Sequence, residues 1–472
     1  MNNKFFNKIN NLFSIDEITK DKNLHYIYWA LLLGFLISFN ELLGQKIGDL
    51  GKIKNLSYVC PTYFRECEKL YFLNYLPNGY SGNIFYSGLF FLLSLSAFFA
   101  IRNKWDYAIL FILPATFWKI IATFFLEDRI SVPFEYFHMG FLIVLLFSKN
   151  KFHMLRHALV VMYFSAGLVK IHEGWILGTY FSTLKLGMPI FPDLMIPYAT
   201  NFVIILELLT PLLLLSENKF YKYITLFLYI LFHIYSISLV GYRYPIHCLP
   251  ILCILFLPKI KTGKIKSWSN RAYLLIILVF NFFPFLIKGD HKITYEGVRL
   301  SLSMFDSNRQ CESIKQFTLK SGNVIEEIYR SHYSFVRCTP YWEWFRINLL
   351  CESDKYSNIS WNFNVSINGE PFYPIVNSKN ACKLKYKTVG KNPWINSSFI
   401  ESDALGYPKK NSYRGPYFDP KTNIIFTKKN IELSSTQKFI KHNIHFLIIF
   451  YSGMSLSTLL FYFLHYHVYK HD

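Results

Sequence analysis

A lysine beside an apolar stretch is the residue of this sequence that most directly indicates chemistry. Lys170 lies in YFSAGLVKIHEGW, residues 163–175, at the end of one of the most apolar parts of the chain. An amine removed from water loses the hydration that stabilises its charge, so burial favours the neutral form, which accepts protons. Lys170 is therefore a candidate general base. The alternative is an anchor that extends to a membrane interface beside Trp175 or pairs with Glu173.

Other ionisable residues also lie inside apolar segments. His138 follows Glu135 by about one turn in PFEYFHMGFLIVLLF, Glu207 lies in VIILELLTPLLLL, and His233 lies in YILFHIYSISLVGY. Such groups cost about 3 kcal/mol each at the centre of a membrane helix, so each one needs a reason. A single histidine of this kind is usually a satisfied core residue. Several on different helices favour convergence into a proton-transfer site.

The elements that position these residues are predicted to be membrane helices. The chain has 472 residues, of which 52% are hydrophobic and 19% aromatic. Its apolar segments are long enough, or nearly so, to cross about 30 Å of hydrocarbon. We predict a polytopic α-helical membrane protein with about ten transmembrane helices, at 26–43, 84–101, 107–126, 133–148, 157–175, 197–215, 220–241, 244–258, 272–288 and 442–466.

The basic residues predict the orientation. The net charge of +20 falls mainly in alternate short loops: IRNKWD, SKNKFHMLR, SENKFYK and KIKTGKIKSWSNR. By the positive-inside rule these loops are cytoplasmic, with both termini, and residues 44–83 and 289–436 lie outside. The membrane would be a bacterial inner membrane or one of endoplasmic-reticulum type. There is no compact basic domain or recognition motif, so we expect no nucleic-acid partner.

The sequence predicts four regions. Residues 1–25 form an amphipathic cytoplasmic N-terminus without the pattern of a cleavable signal peptide. Residues 26–288 form the helical bundle, 289–436 a β-rich extracytoplasmic domain, and 437–472 a C-terminal transmembrane helix with a short tail. In the third region, SWNFNVSINGEPFYPIV places alternate apolar residues on one face before Asn368-Gly369. That pattern predicts a strand that enters a tight hairpin.

Cysteine positions agree with this topology. Cys60 and Cys67 lie in the first outside loop and are predicted to form a local disulfide, which an oxidising compartment permits. Four more cysteines lie in the large outside region and allow three connectivities: Cys311, Cys338, Cys351 and Cys382. No pair has the C-x-x-C spacing of a zinc site, so we predict no metal. Cys248 and Cys253 are expected to be buried thiols.

Several segments, in order, resemble the vitamin K-dependent gamma-carboxylases and their bacterial relatives, the HTTM family. The segment YFSAGLVKIHEGWILG is similar to the family's lysine motif, and LFHIYS to its Phe-His segment. Further along, YEGVRLSLSMFDSNRQCESIKQFTLKSG resembles the start of its lumenal domain. WNFNVSINGEPFYPIV and NPWIN resemble a later hairpin and tryptophan segment. The resemblance covers about residues 25–400.

The resemblance implies a membrane enzyme that uses vitamin K hydroquinone or another reduced lipid quinone. In such enzymes a lysine deprotonates the hydroquinone, and reaction with dioxygen yields a strong base. That base removes a γ-proton from a peptide glutamate, carbon dioxide adds to the carbanion, and the quinone leaves as its epoxide. The bilayer, the quinone and a peptide or protein from the outside are then the expected partners.

The resemblance also assigns residues. Lys170 takes the place of the base, while His138 and His233 are expected to orient the quinone or stabilise its charge. Cofactor contacts are implied at Tyr163, Gly167, Trp175 and Ser236. Several positions differ from the family. Phe137 and Ser236 stand where asparagines are usual, Phe285 follows Pro284 where a histidine is usual nearby, and Ser301-Leu302 stands in place of a Ser-Trp pair.

Two other functions remain open from the residues themselves. One is a non-enzymatic maturation or export partner for a secreted polypeptide on the same scaffold. The other is a transporter, which the lack of an inverted repeat or paired broken helices disfavours. Replacement of Lys170 by arginine would distinguish an enzyme from a binding scaffold. A catalytic base loses its function when it is replaced by arginine, which stays protonated, whereas an interfacial anchor tolerates arginine.

Overall fold

The computed structural model describes a mostly helical protein with a small antiparallel sheet. The described residues are 10–52, 80–122, 133–182, 187–240, 243–259, 265, 267–287, 291–298, 301–302, 309–330, 339–351, 353, 355–368, 373–387, 390–396, 418–419, 424–425 and 433–468.

The helices follow one another through most of the chain. In chain order they are α1 Ile15–Lys20, α2 Lys22–Lys52, α3 Tyr80–Ile101, α4 Trp105–Ala122, α5 Pro133–Phe147, α6 Lys151–Leu168, α7 Glu173–Ile176, α8 Thr179–Ser182, α9 Ile196–Leu209, α10 Pro211–Leu214, α11 Lys219–Val240, α12 Arg243–Phe256, α13 Trp268–Phe282, α14 His291–Thr294, α15 Pro340–Cys351, α16 Ser435–His442 and α17 Ile444–Phe463.

The strands lie between α14 and α16. They are β1 Arg309–Leu319, β2 Val324–Arg330, β3 Tyr356–Ile367, β4 Tyr373–Ser378, β5 Phe418–Asp419 and β6 Ile424–Ile425. The first four form one antiparallel sheet in the order β2-β1-β3-β4, and the last two form a separate short pair.

Each of the ten apolar segments predicted from the sequence overlaps a helix. Among the described residues, two helices are long and apolar enough to cross a membrane, Lys219–Leu239 and Ile444–Tyr466. Four further apolar helices are shorter than a full span: Ser87–Ile101, Phe134–Phe147, Ile196–Leu209 and Tyr244–Phe256. The helical character of the segments is confirmed, and a ten-span topology stays a prediction.

Contacts divide the chain into two compact units. The first, here the helical unit, comprises Met1–Ala166, Leu206–Phe280 and Met454–Asp472. The second, here the mixed unit, comprises Gly167–Ile205 and Asn281–Gly453. The four regions predicted from the sequence rest on topology and not on contacts, and they stay a prediction.

The helical unit joins its helices through buried polar groups as well as apolar packing. Ser96 Oγ of α3 donates to the Ala108 carbonyl of α4 at 2.6 Å and lies 2.5 Å from the hydroxyl of Tyr28 in α2. Tyr273 of α13 donates to the Gly140 carbonyl of α5 at 2.7 Å. A buried hydroxyl that finds a partner on another helix fixes the register between the two, since leaving it unpaired costs about 1–3 kcal/mol.

The mixed unit contains the sheet, and its hairpin is where the sequence predicts it. β3 pairs with β4 in antiparallel register, with Val365 opposite Tyr373. Trp361, Phe363 and Val365 are buried on one face, as the alternation predicts. Asn368 itself has a φ of 49°, a left-handed conformation. Gly369 and residues 370–372 lie outside the described residues, so the predicted tight turn stays a prediction.

A helix that the sequence reading did not identify packs against this sheet. α15 buries Tyr341, Trp344 and Ile347, which lie three residues apart on one face. Its Glu343 is 2.9 Å from Lys315 Nζ of β1 and accepts a hydrogen bond from Ser313 Oγ at 3.2 Å. The signal was the apolar spacing in PYWEWFRINLLC.

The disulfides partly resolve the cysteine pairing. Cys351 at the end of α15 is bonded to Cys382. Cys311 in β1 is disulfide-bonded as well. Cys60, Cys67 and Cys338 lie outside the described residues, so the predicted Cys60–Cys67 bond stays a prediction. Cys248 is a buried free thiol, as predicted, and Cys253 is free and half-buried.

We expect Cys382→Ala to lower the stability of the mixed unit by about 2–4 kcal/mol, because the bond closes a loop of about 31 residues. Thermal unfolding of the full chain in detergent, without reductant, measures the change. Cys253→Ala, which removes a free half-buried thiol, is the control and should shift the midpoint less. Equal shifts in the two variants would contradict the prediction.

Candidate functional site

Lys170 follows a helix and is not inside one. The sequence predicted a membrane helix over residues 157–175 that includes Lys170, but α6 ends at Leu168. Lys170 N–H donates to the Gly167 carbonyl at 3.1 Å, and the Lys170 carbonyl accepts from His172 N–H at 2.8 Å. The Lys170 side chain is 1% exposed, so it is buried and does not extend to solvent.

Trp175 covers the lysine. Lys170 Nζ lies 5.3 Å from the centroid of the Trp175 ring, within cation–π range. The indole N–H donates to the Thr200 carbonyl of α9 at 2.8 Å, which fixes the plane of the ring. The motif's lysine and tryptophan are thus in contact, and its five-residue spacing reflects a turn followed by the short helix α7.

Two glycines of the motif allow this arrangement. A Cβ at Gly174 would lie 2.4 Å from Asn368 Nδ2, so the corner of the β3–β4 hairpin packs directly on the glycine. Gly178 has a φ of +69°, and a Cβ there would lie 2.7 Å from Ile196 Cγ2 and 3.2 Å from the backbone nitrogen of Pro197. The G-W-x-x-G spacing is therefore required by close packing on both sides of the tryptophan.

Helices far along the chain hold the same segment from the other side. Gln437 of α16 donates to the Leu177 carbonyl at 2.9 Å and to Ser182 Oγ at 3.0 Å. Tyr451 of α17 donates to Asn201 Oδ1 at 2.7 Å, and Asn201 Nδ2 donates to the Ile176 carbonyl at the same distance. The sequence reading missed these positioning residues, because only the tertiary fold brings residues 437 and 451 to the motif.

Tyr163 and His233 form a buried pair in the helical unit. The Tyr163 hydroxyl lies 2.6 Å from His233 Nε2, and its ring stacks on Tyr229 with centroids 4.3 Å apart. His233 Nδ1 is buried and has no hydrogen-bond partner in the described structure. The Tyr244 ring closes another side of the imidazole, at 5.4 Å. Tyr163 thus engages one nitrogen of His233, and aromatic rings lie beside the imidazole.

The remaining predicted cofactor contacts have backbone roles. Ser236 Oγ donates to the carbonyl of His233 one turn earlier in α11, at 2.8 Å, so its proton is used within the helix. Gly167 is buried and supplies the carbonyl that closes the turn at Lys170.

His138 belongs to a second polar cluster of the helical unit. Its Nε2 lies 2.8 Å from the Leu31 carbonyl of α2 and must donate to it, which leaves Nδ1 as the acceptor that contacts Lys119 Nζ. Lys119 Nζ also lies 2.8 Å from Glu135 Oε2. The His247 ring lies edge-on to His138 at 4.9 Å, and both of its nitrogens are buried without partners in the described structure.

The sequence reading missed Lys119 and His247. Their signal was present, because each is an ionisable residue inside a predicted apolar segment, in FWKIIA and PIHCLP. The structure groups Lys119, Glu135, His138 and His247 in one cluster and Tyr163 with His233 in another, both within the helical unit. Lys170, Gly167 and Trp175 belong to the mixed unit.

A buried carboxyl lies beyond the motif in the mixed unit. Glu296 is 1% exposed, and its Oε1 accepts from both the backbone and the side-chain nitrogen of Asn392, at 2.6 and 3.1 Å. Its Oε2 is buried without a partner in the described structure. Burial raises the pKa of Glu296 above its ordinary value, while the Asn392 hydrogen bonds and the charge of Lys391 oppose the rise.

These features define a class: a mostly helical protein with a small antiparallel sheet and buried ionisable clusters in its helices. In comparisons with protein-family models, curated proteins and solved structures, the chain has no match. The resemblance to the gamma-carboxylases therefore stays a prediction from the residues.

We expect Gly178→Ala to destabilise the protein more than Gly174→Ala does. At Gly178 the left-handed conformation costs alanine about 1–2 kcal/mol, and its Cβ meets backbone that cannot move away. At Gly174 the contact is the end of the Asn368 side chain, which can rotate. The midpoints of thermal unfolding rank the two variants, and a lower midpoint for Gly174→Ala would contradict the packing described.

We expect Glu296→Gln to remove a pH-dependent loss of stability. A carboxyl with a raised folded pKa binds its proton more tightly in the folded state, so stability falls as pH rises from the ordinary value of 4.5 through the folded pKa. Glutamine keeps the acceptor for Asn392 and cannot ionise. The difference in unfolding midpoint, variant minus wild type, should be larger at pH 7 than at pH 4, and a difference independent of pH would contradict the assignment.

Proposed function

We propose that this protein is a membrane-embedded enzyme of the gamma-carboxylase type, with Lys170 as its general base. It would couple oxidation of a reduced lipid quinone to carboxylation of a glutamate side chain in a peptide. In net terms a hydroquinone, dioxygen, carbon dioxide and the glutamyl residue give the quinone epoxide, water and a γ-carboxyglutamyl residue.

The observation that carries the proposal is the burial of Lys170 under Trp175 within the lysine motif. A solvent-exposed ammonium holds its proton at neutral pH, whereas a buried amine can be neutral and accept one. The turn after α6, the two glycines and Trp175 hold the lysine in one place, which general-base catalysis requires.

The helical unit offers a pair that suits a quinone oxygen. His233 Nδ1 is buried without a partner, and Tyr163 holds the opposite nitrogen, so the imidazole is oriented to bind a hydroxyl or carbonyl. Tyr229 and Tyr244 supply aromatic surface beside it, as a quinone ring requires. When bound, the quinone would supply the oxidation that makes the strong base. The role of the protein itself would be to bind and orient the quinone, accept a proton from it and exclude water.

His138 takes a different role in this proposal. Both of its ring nitrogens are engaged, one with Leu31 and one with Lys119. It is therefore assigned to holding α2, α4 and α5 in position relative to one another. His233 keeps the role of orienting the quinone.

The membrane placement belongs to the same proposal. Two described helices have the length and apolar composition of a span, and the ten apolar segments of the sequence with alternate basic loops support a multi-pass chain with cytoplasmic termini. Residues 289–436, with the sheet, would lie outside and receive the peptide. The hairpin corner at Asn368 packs on Gly174, next to the tryptophan that covers Lys170, so a peptide held by the sheet would approach the base.

We expect Lys170→Ala and Lys170→Arg to abolish quinol-dependent incorporation of labelled carbon dioxide into glutamate peptides. Loss of a general base costs about 100-fold to 10,000-fold in rate. Arginine keeps the charge and much of the volume but stays protonated, so it cannot substitute. His233→Ala and His138→Ala should cost less.

Lys222→Arg is the matched control. Lys222 is another buried lysine, and its ammonium donates to the Pro258 carbonyl at 2.9 Å, a bond that arginine can keep. This variant should retain full activity. The proposal fails if Lys170→Arg turns over like the wild type, or if the purified wild-type protein carboxylates none of the peptides supplied with reduced quinones.

A further inference from the structure

Residues 187–195 form an ordered turn with an apolar tip, here called the apolar loop. Met188 and Phe191 pair as an antiparallel bridge, with Phe191 N–H donating to the Met188 carbonyl at 3.1 Å. Met195 N–H donates to the Pro192 carbonyl at 2.8 Å. Two backbone N–H groups and two carbonyls are thus satisfied inside the loop, which lowers the cost of removing this part of it from water.

Ile190 at the tip combines two unfavourable features. Its side chain is 88% exposed, and its φ is 74°, a left-handed conformation that β-branched residues rarely adopt. Neither feature improves the packing of the protein itself. A strained residue that presents a bare aliphatic side chain indicates a surface shaped for something outside the chain.

The exposed apolar surface continues from the loop onto the next helix. Phe191, Leu194 and Met195 are exposed in the loop. On α9, Tyr198, Phe202 and Ile205 are exposed at spacings of four and three residues, which places them on one face. Between residues 187 and 205 the sequence has one charged residue, Asp193. A group of exposed apolar residues of this kind marks a protein or membrane contact.

We infer that the apolar loop inserts into the outer leaflet of the bilayer, with the exposed face of α9 against the acyl chains. Lipid fits better than a protein partner because the surface has no basic residue and a single acid, whereas protein interfaces have a polar rim. Tyr198 stands where the loop meets the helix, as the aromatic residues of membrane interfaces do. The inference rests on the membrane placement in the proposed function and is independent of the chemistry of Lys170.

Photocrosslinking tests the contact directly. The full-length protein carries p-benzoylphenylalanine at position 190 and is placed in nanodiscs of palmitoyl-oleoyl-phosphatidylcholine. Illumination followed by peptide mass spectrometry measures the fraction of that peptide with a phospholipid adduct. Leu194, which is exposed but lies outside the left-handed region, is the second position in case the strained site does not accept the larger residue.

Two further positions serve as the positive and the negative control for lipid contact. Ile449 is 70% exposed on the candidate span α17, and Val324 is 62% exposed on strand β2 of the sheet. We expect adducts at positions 190 and 449 at least fivefold above the level at position 324.

The outcomes separate the inference from the proposal beneath it. Adducts at 449 but not at 190 or 194, or crosslinks from the loop to polypeptide only, overturn the inference and leave the membrane placement intact. Equal labelling at 190 and 324 also overturns it, since the loop would then have no particular lipid contact. A lack of lipid adducts at every position overturns the membrane placement itself, and the inference with it.

Discussion

The contact between Lys170 and Trp175 is the constraint on which the motif region depends. A helix that continued past Leu168 would carry the lysine away from this ring, so the chain must turn between α6 and α7. The turn brings backbone close to other elements on both sides, and glycines occupy those positions at 174 and 178. The spacing of the motif therefore reflects one turn, one short helix and two glycines at which other parts of the chain pack closely.

Buried charge organises the helical unit in a comparable way. Lys119 Nζ contacts both the Glu135 carboxylate and the His138 imidazole, and His138 donates a hydrogen bond to a backbone carbonyl of α2. Taking these groups out of water is costly, and loss of one partner from such a pair typically costs about 3–5 kcal/mol. Removal of one member of the cluster is therefore expected to destabilise the helical unit. Gly34 permits the cluster, since a Cβ there would lie 2.7 Å from the ring of His138.

The mixed unit shows how distant segments complete a local motif. Its sheet has a core that includes Trp361, whose indole N–H donates to Ser313 Oγ at 3.1 Å, and Ser313 in turn donates to Glu343 of α15. This chain of hydrogen bonds fixes the helix on the sheet. The hairpin corner then reaches Gly174, and Gln437 reaches Leu177. The segment after Lys170 is thereby held by a strand connection and by a C-terminal helix.

The sequence by itself determined the helices, the hairpin strand and the placement of His138 and His233 inside apolar segments, whereas for Lys170 it left a buried base and an interfacial anchor both open. Those properties follow from local apolar composition and from the period of side chains along each element. Only the tertiary structure decided that Lys170 follows a helix end, that Lys119 and His247 join His138, and that Gln437 and Tyr451 hold the motif. Such contacts join residues far apart in the chain, and the period of one element carries no information about the partner on another. Ile190 shows the same limit, because its exposure and left-handed backbone follow from the turn that the fold imposes on an ordinary apolar run.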